Sequence, residues 1–496
     1  MPVQNSYVIK MTLLTKSKYL SGLQCPKLIW ILFNEKDNIP EIDRITNYRF
    51  SQGKIVGELA KKAYPDGIDI PSIDFIQNIY LTESLLKGNK PLFEAGIQAD
   101  DIYSRIDVLR PNGDGTFDII EVKSSTQVKQ ENIEDVSFQR HCCERARLKI
   151  KKCYLMFLNN KYVRQKDLDI SELFSIEDIT DEVIKTSEGI QERIDGMLHT
   201  INSEDCPAVS TRNACDKPYE CSLIEECWKF LSDDNVFTLY AKGKTSAKLF
   251  EMGIRHIKDI PEGFELNHRQ EIQKVCGMTG DIHIQKEEIW QFLDGLKYPS
   301  YYLDFETFAP AVPKFTGSRP YQRIPFQFSL HVSQNDDNIE HKSFLADGTT
   351  DPRPAFLEQL KNALGTHGTI VVYNEVFEKG VLKELARDFP EYGGWVNEIL
   401  PRIIDLLKPF RAFHYYNPVQ NGSASIKDVL PAITNEGYEG MKIDNGMDAS
   451  ISFEEITFGD VSTGEKARVR SELEEYCKMD TFAEVRIVEE LRKICQ

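Results

Sequence analysis

The sequence predicts a multidomain α/β protein, and three observations carry that prediction. The chain has 496 residues, 41% hydrophobic and 28% charged, which is ordinary globular composition on a length that calls for more than one core. Between residues 102 and 124, two strand-like runs flank an Asn-Gly turn signal. From Val469 to the end, apolar residues recur at helical spacing. No run of about 18 apolar residues occurs, which excludes a membrane-spanning helix. The first residues, Met1-Pro2-Val3-Gln4-Asn5, lack a charged segment leading into an apolar one, so a cytoplasmic location is expected. There the eleven cysteines stay reduced, and a close group of them reads as a metal site before a disulfide framework. The net charge of −18 argues against a protein that coats nucleic acid nonspecifically. It does not exclude a nuclease, because cations bound at a carboxylate site reverse the local field.

Three regions follow from the pattern. Residues 11–230 mix helices with strands and close on a cysteine group, 231–297 read as short helices with turns, and 298–496 open on a strand and end in a long amphipathic helix. In the first region, Ile102, Ser104, Ile106 and Val108 alternate with Tyr103, Arg105 and Asp107. Asn112-Gly113-Asp114-Gly115 signals a turn, and Phe117 to Ser124 resumes as a strand. Residues two apart on a strand share a face, so Glu121 and Lys123 project together and the hairpin brings Asp107 beside them. Two acids can hold Mg²⁺ or Mn²⁺ through oxygen, and a lysine can orient water and offset charge. A helical stretch, Gln52 to Ala60, precedes this hairpin; a strand starts at Phe93, and a helix carries Asp135 to Gln139.

This arrangement resembles the PD-(D/E)XK nucleases of the RecB type. The resemblance implies a restriction-endonuclease-like fold with Asp107 and Glu121 as metal ligands, the Val122 carbonyl as a further ligand, and Lys123 as the catalytic lysine. Gln139 corresponds to the glutamine of that family's Gln-x-x-x-Tyr motif, with Cys143 where the tyrosine stands, and Glu58 to the helical acid that completes the site. From Arg140 to Lys166 there are nine basic residues and one acid, Glu144. That run, with Arg140, Arg145, Arg147 and Lys149 at its head, reads either as a solvated face or as a track for nucleic-acid phosphates.

Cys215, Cys221 and Cys227 recur at six-residue intervals, with Cys25 far upstream. Zinc sites usually show paired Cys-x₂₋₄-Cys steps, and this spacing does not. Buried free thiols, a zinc site and an iron–sulfur site all stay open on spacing alone, with Cys206 as the rival fourth ligand. The set resembles the iron–sulfur nucleases related to the RecB-like enzyme of CRISPR spacer acquisition. That likeness implies a [4Fe–4S] cluster on Cys25, Cys215, Cys221 and Cys227 that pins the two ends of the domain, while Cys142, Cys143 and Cys153 read as ordinary buried cysteines.

In the middle region, Leu239 to Leu249 leading into Met252-Gly253-Ile254 faintly resembles a helix-hairpin-helix; a plain helical linker is the competing reading.

In the last region, Tyr301 to Thr307 reads as a buried strand with Asp304 and Glu306 on one face. An acid pair on such a strand is expensive unless cations neutralise it. The C-terminal stripe runs Val469, Leu473, Tyr476, Asp480, Ala483, Ile487, Leu491 and Ile494, the buried seam of one helix. Asp480 falls on that seam, with Tyr476 one turn before it. The set resembles the DEDD exonucleases of the RNase H-like fold, tyrosine subclass, and an uncharacterised family fused to RecB-like domains. Asp304, Glu306 and Asp480 would then be metal ligands and Tyr476 would place the water; Glu378, after Phe377, stands where that family has aspartate, and Asp405 is a further acid at a strand end. Together these likenesses imply a nuclease with two sites, acting on DNA rather than RNA at single strands or ends. The alternatives are a nucleic-acid-binding adaptor with degenerate sites, or a ribonuclease.

Overall fold

The structure, a computed structural model, describes residues 13–71, 74–209, 212, 214–241, 243–335 and 338–496. Residues 11 and 12 of the first expected region, and Lys242 of the hairpin-like segment, lie outside the described residues. The chain is α/β and divides into two units, one of residues up to Lys229 with Pro310–Tyr321, the other of Phe230–Ala309 with Gln322–Gln496. Among the described residues no helix is long and apolar enough to cross a membrane.

The first unit is built on a seven-stranded sheet. Its strands are β1 (Leu14–Thr15), β2 (Ile68–Asp69), β3 (Leu92–Ala99), β4 (Ile102–Pro111), β5 (Phe117–Lys123), β6 (Ile150–Leu158) and β7 (Phe174–Asp178). The order is β2-β3-β4-β5-β6-β7, and β1 lies parallel to the start of β4. The β4–β5 turn uses Gly113 and Gly115 at φ +77° and +83°, where a side chain would be strained. The helix Gln130–Arg145 connects β5 to β6, which pair in parallel. Its Val136, Phe138, Cys142 and Cys143 are buried in the same core as Ile106, Leu109 and Ile119. Each such side chain contributes roughly 1.5–3 kcal/mol by leaving water.

The second unit holds a two-stranded ladder, β8 (His283–Ile284) with β14 (Tyr415–Tyr416), and a five-stranded sheet. The latter comprises β9 (Ser300–Phe308), β10 (Ile324–Asn335), β11 (Asn338–Leu345), β12 (Thr369–Val372) and β13 (Ile403–Asp405). Its order is β11-β10-β9-β12-β13, antiparallel from β9 to β11 and parallel among β9, β12 and β13. The terminal helix Thr463–Cys495 packs across β9 and β10. Its register is held by Gln327 Nε2 donating to the Leu473 carbonyl at 2.9 Å, and by the Thr481 hydroxyl bonding Ser329 at 2.7 Å and His331 Nδ1 at 2.8 Å.

Two organisational expectations change. Residues 231–297 are not a free linker: Ile289 and Leu296 are buried in one core with Val488 and Leu491, and Ile272 and Cys276 pack with Phe413 and Tyr416. The cause is apolar residues on short helices, which find their partners far along the chain. The β9–β10 connection is also unexpected, since its residues 310–321 belong to the first unit. There Ala311 joins the core around Val56 and Phe93, Arg164 donates to the Pro313 carbonyl at 2.7 Å, and the Arg164 N–H donates to the Ser318 carbonyl at 3.0 Å.

Two candidate carboxylate sites and a thiol group

The site of the first unit forms where a strand ladder ends. β4 and β5 pair from Pro111 and Phe117 to Val108 and Ile120. Past that point the Val122 N–H donates to Asp107 Oδ2 at 2.9 Å, so the carboxylate stands in for a strand carbonyl. Glu121 is 1% exposed, and Lys123 Nζ lies 2.6 Å from its Oε1. From the Gln130–Arg145 helix, Asp135 and Gln139 arrive one turn apart. Lys123 bonds Asp135 Oδ2 at 2.6 Å, and Gln139 Nε2 donates to Glu121 Oε2 at 2.6 Å. The structure thus brings Asp107, Glu121, Lys123 and Gln139 together.

Two members of this cluster escaped the sequence reading as site residues, Asp135 and Lys16. Lys16 starts the helix after β1; its Nζ lies 2.9 Å from Glu121, 3.8 Å from Asp107 and 4.0 Å from Asp135. Burial alone would lower the pKa of both lysines, but the carboxylates outweigh it and hold both ammoniums above their usual value. Asp135 carried a signal, lying four residues before Gln139 on one helix face. Lys16 carried none, because only the β1–β4 pairing delivers it. Glu58 is not in this cluster: it is exposed on the Arg44–Lys61 helix and pairs with Lys61, its i+3 neighbour, at 2.8 Å. The basic run does not gather there either. Arg140 pairs with Glu144, Arg145 pairs with Asp100, and Arg147 and Lys149 are exposed beyond the C-terminal end of the helix that carries Asp135 near its start.

The site of the second unit joins β9 to the terminal helix. Ligand oxygens of Asp304, Glu306 and Asp480 all lie within 4.8 Å of one another. Glu306 is 6% and Asp480 8% exposed, while Asp304 is half-buried. Tyr438 donates to Asp480 Oδ1 at 2.7 Å, and the Tyr476 hydroxyl also bonds that carboxylate. The Cys477 thiol lies 3.5 Å from Asp304 Oδ2. Burial and the Asp480 charge push the Asp304 carboxyl well above the usual range; burial, Asp304 and Asp480 do the same to Glu306. Asp480 is raised by burial to about 6, held down by the two tyrosine hydroxyls and by Lys427.

Glu378 and Glu484 are buried nearby, each raised by burial and then by the Asp304 charge. Asp405 is otherwise engaged: its Oδ1 accepts from the N–H groups of Asn374 and Leu407 at 2.9 and 3.0 Å, clamping the turn into the Glu375–Asp388 helix. Lys427 and Glu484 went unnoticed in the sequence. The terminal helix is buried along a second seam, Cys477, Thr481, Glu484 and Val488, and its 4-3-4 spacing is the signal that finds Glu484.

Cys25, Cys215, Cys221 and Cys227 pack in one group with Leu28, Trp30, Ile31 and Leu223, and Cys206 is exposed but near enough to Cys25 and Cys227 to feel their charge. The Cys221 N–H donates to the Cys215 carbonyl at 2.7 Å, and Gln24 Nε2 holds the carbonyls of Ala214 and Tyr219 at 2.9 and 2.8 Å.

Residues 301–425 match a family described as a domain of unknown function (DUF2779). That stretch contains Asp304, Glu306 and Glu378 and stops short of Lys427, Asp480 and Glu484. The chain is similar to an uncharacterised protein, the MG366 homolog of Mycoplasma pneumoniae, at 28% identity over 228 residues, covering 40% of this chain and 33% of that protein. It is also similar to uncharacterised MG366 of Mycoplasma genitalium, at 28% identity with 39% and 32% covered, and to uncharacterised UU173 of Ureaplasma parvum, at 25% with 40% and 32% covered. The chain therefore spans about a third of the length of the curated relatives it matches. Among solved structures, an alkaline exonuclease (LHK-Exo) from Laribacter hongkongensis aligns at a TM-score of 0.22 and 11% identity, covering 38% of this chain and 91% of that one, a score too low to define a shared fold.

Proposed function

We propose that this chain is a metal-dependent nuclease that hydrolyses phosphodiester bonds of DNA, at single strands or ends, with one carboxylate site per unit. The observation that carries the reading is the convergence of Asp304, Glu306 and Asp480 from a central strand and a helix far along the chain. Buried like charges repel, and an all-oxygen donor set of this kind suits Mg²⁺ or Mn²⁺. The fit is supported by carboxylate oxygens of Glu378 and Glu484 that are buried and, among the described residues, without a hydrogen-bond partner. When bound, a pair of such ions supplies an activated water and neutralises charge on the leaving oxygen. The chain's own groups orient the site: Tyr438 and Tyr476 fix the Asp480 carboxylate, and Lys427, whose Nζ lies 5.5 and 5.7 Å from their ring centroids, offers positive charge to a substrate phosphate.

In the first unit, Asp107 and Glu121 are the oxygen donors and Lys123 the catalytic lysine. The topology of the two sheets supports assigning the units to the restriction-endonuclease-like and RNase H-like folds. Incubating the full chain with Mn²⁺ and labelled single strands tests the reading. Cleavage abolished in part by Asp480→Asn and in part by Lys123→Ala supports it, and no cleavage by cluster-loaded protein overturns it.

A second reading has one observation in its favour. Lys16 already sits among Asp107, Glu121 and Asp135, so a cation must displace it. If Lys123→Ala changes nucleic-acid binding but not cleavage, the first unit is a binding module.

For the thiols we propose a [4Fe–4S] cluster on Cys25, Cys215, Cys221 and Cys227. The packing of all four thiols in one group with Leu28, Trp30, Ile31 and Leu223 supports a shared site. Visible absorption and iron analysis of anaerobically prepared protein test this, and stoichiometric zinc without iron overturns it.

A further inference from the structure

In the first unit, one buried carboxylate serves two ammoniums. Glu121 Oε1 accepts from Lys16 Nζ at 2.9 Å and from Lys123 Nζ at 2.6 Å. Its Oε2 accepts from Gln139 Nε2 at 2.6 Å and from Lys16 Nζ at 3.2 Å. Asp107 and Asp135 complete a group of three carboxylates against two ammoniums, one negative charge in excess. A divalent cation on Asp107 and Glu121 turns that excess positive and takes oxygens on which both lysines sit. The distances decide which lysine gives way. Lys123 keeps Asp135 at 2.6 Å when it loses Glu121. Lys16 is left with Asp107 at 3.8 Å, itself a cation ligand, and Asp135 at 4.0 Å, where attraction is weaker. Lys16 opens the Lys16–Gln24 helix and its side chain is 25% exposed, so the four-carbon stem can carry the ammonium toward solvent with the backbone in place.

We infer that Lys16 is a substrate-phosphate ligand, held on Glu121 in the metal-free chain and released to a backbone phosphate of the bound strand when a divalent cation takes Glu121. This rests on the nuclease reading of the first unit and adds to it the group that couples cation to substrate. An ammonium engaged by a carboxylate does little for a nucleic acid, whereas a released one neutralises a phosphate and frees a counterion. Cation and strand therefore bind cooperatively, each raising the affinity of the other by the same factor. The two lysines divide the work: Lys123, kept by Asp135, stays at the carboxylates, and Lys16 positions the strand.

The alternative is a fixed counter-ion that only neutralises Glu121. The two differ in how Lys16→Met affects the salt dependence of strand binding. The full chain is used, with Asp480→Asn as a common background to weaken the second unit's site. Binding of a labelled single strand of phosphorothioate linkages, which keep the charge and resist hydrolysis, is followed by anisotropy over a salt series, with and without Mn²⁺. With Mn²⁺, the plot of log affinity against log salt is expected to be shallower in Lys16→Met by about 0.7, the loss of one phosphate contact to a single strand. Without Mn²⁺ the two slopes are expected to coincide. Lys16→Arg, which keeps the charge, restores the slope, and Lys16→Gln serves if the methionine variant does not fold. Calorimetry gives an effect of opposite sign: with no strand present, Lys16→Met binds Mn²⁺ more tightly. A full slope in Lys16→Met with Mn²⁺, or an equal loss with and without it, overturns the assignment of Lys16; where Glu121→Gln still weakens Mn²⁺ binding, the nuclease reading stands. Mn²⁺ binding that neither Glu121→Gln nor Lys16→Met alters means that no cation enters the first unit, and overturns both.

Discussion

At the scale of single residues, the first unit's site is a balance between three carboxylates and two ammoniums. Lys16 occupies a position that a divalent ion would claim, because its Nζ lies 2.9 Å from Glu121 and 3.8 Å from Asp107. Replacing it with methionine is therefore expected to tighten Mn²⁺ binding at that site about tenfold, equivalent to roughly 1.4 kcal/mol. Calorimetry on the Lys16→Met variant checks this, and unchanged or weaker binding counts against a cation site there.

The second unit gives a pH dependence of defined sign. Asp304, Glu306, Glu378 and Glu484 are held well above their usual range by burial and by one another, and Asp480 is at about 6. Each binds its proton more tightly folded than unfolded, so its contribution favours the fold below the ordinary carboxylate range and is lost as pH rises through the folded value. Metal-free protein is expected to lose thermal stability as pH rises from the ordinary carboxylate range through about 6 and beyond, and Mg²⁺ or Mn²⁺ to flatten the decline. His331 acts in the opposite sense at the low end of that range: burial lowers it to about 4, so it adds stability as pH rises toward the ordinary histidine value and contributes no slope above it. A flat profile in the absence of metal would show that these acids do not sense one another.

At the scale of elements, the terminal helix sets the geometry of the second site. Thr481, the residue after Asp480, is fully buried and joins Ser329 to His331. Thr481→Val keeps the shape and removes the hydroxyl, leaving polar groups on β10 without their partner at a cost of about 1–3 kcal/mol. Denaturant titration measures that cost, and Mn²⁺ affinity is expected to fall with it because Asp480 shifts. At the helix start, the Ser462 hydroxyl accepts from the Glu465 N–H at 3.2 Å, and Ser462→Ala should cost about 1 kcal/mol without touching metal affinity.

These elements also show how far the sequence could be read. Alternation put Glu121 and Lys123 on one face, and helical spacing put Asp480 on the seam, because strand and helix periods are local properties. The single seam hid Glu484, since a helix buried on two sides carries two stripes and the more apolar one dominates. Lys16 could not be found at all: its place depends on a two-residue strand pairing with β4 across the chain. Glu58 was misplaced for a related reason, because an exposed helical acid takes its i+3 lysine whenever nothing stronger competes. Residues 231–297 looked like a linker because their apolar positions are sparse within each short helix and make a core only with Phe413, Tyr416, Val488 and Leu491.

At the scale of the whole molecule, the thiol group ties the start of the first unit to its end. If Cys25 and the Cys215–Cys227 segment share one cluster, Cys25→Ser should bleach the visible absorption and lower the first thermal transition, leaving the Mn²⁺-dependent shift of the second unit in place. Loss of both transitions together would mean that the units do not melt separately.

The excursion of residues 310–321 sets a timetable for synthesis. The first unit has all its strands once Lys229 has been made, yet the segment bearing Ala311 and Ser318 follows some ninety residues later, after β9 has appeared. At translation speeds of about 5–20 residues per second, that is an interval of roughly 5–20 s in which the Val56–Phe93 core must wait with one side open. A nascent chain stalled within that interval should be easily cut by protease near the gap, and resistant once Tyr321 has left the ribosome.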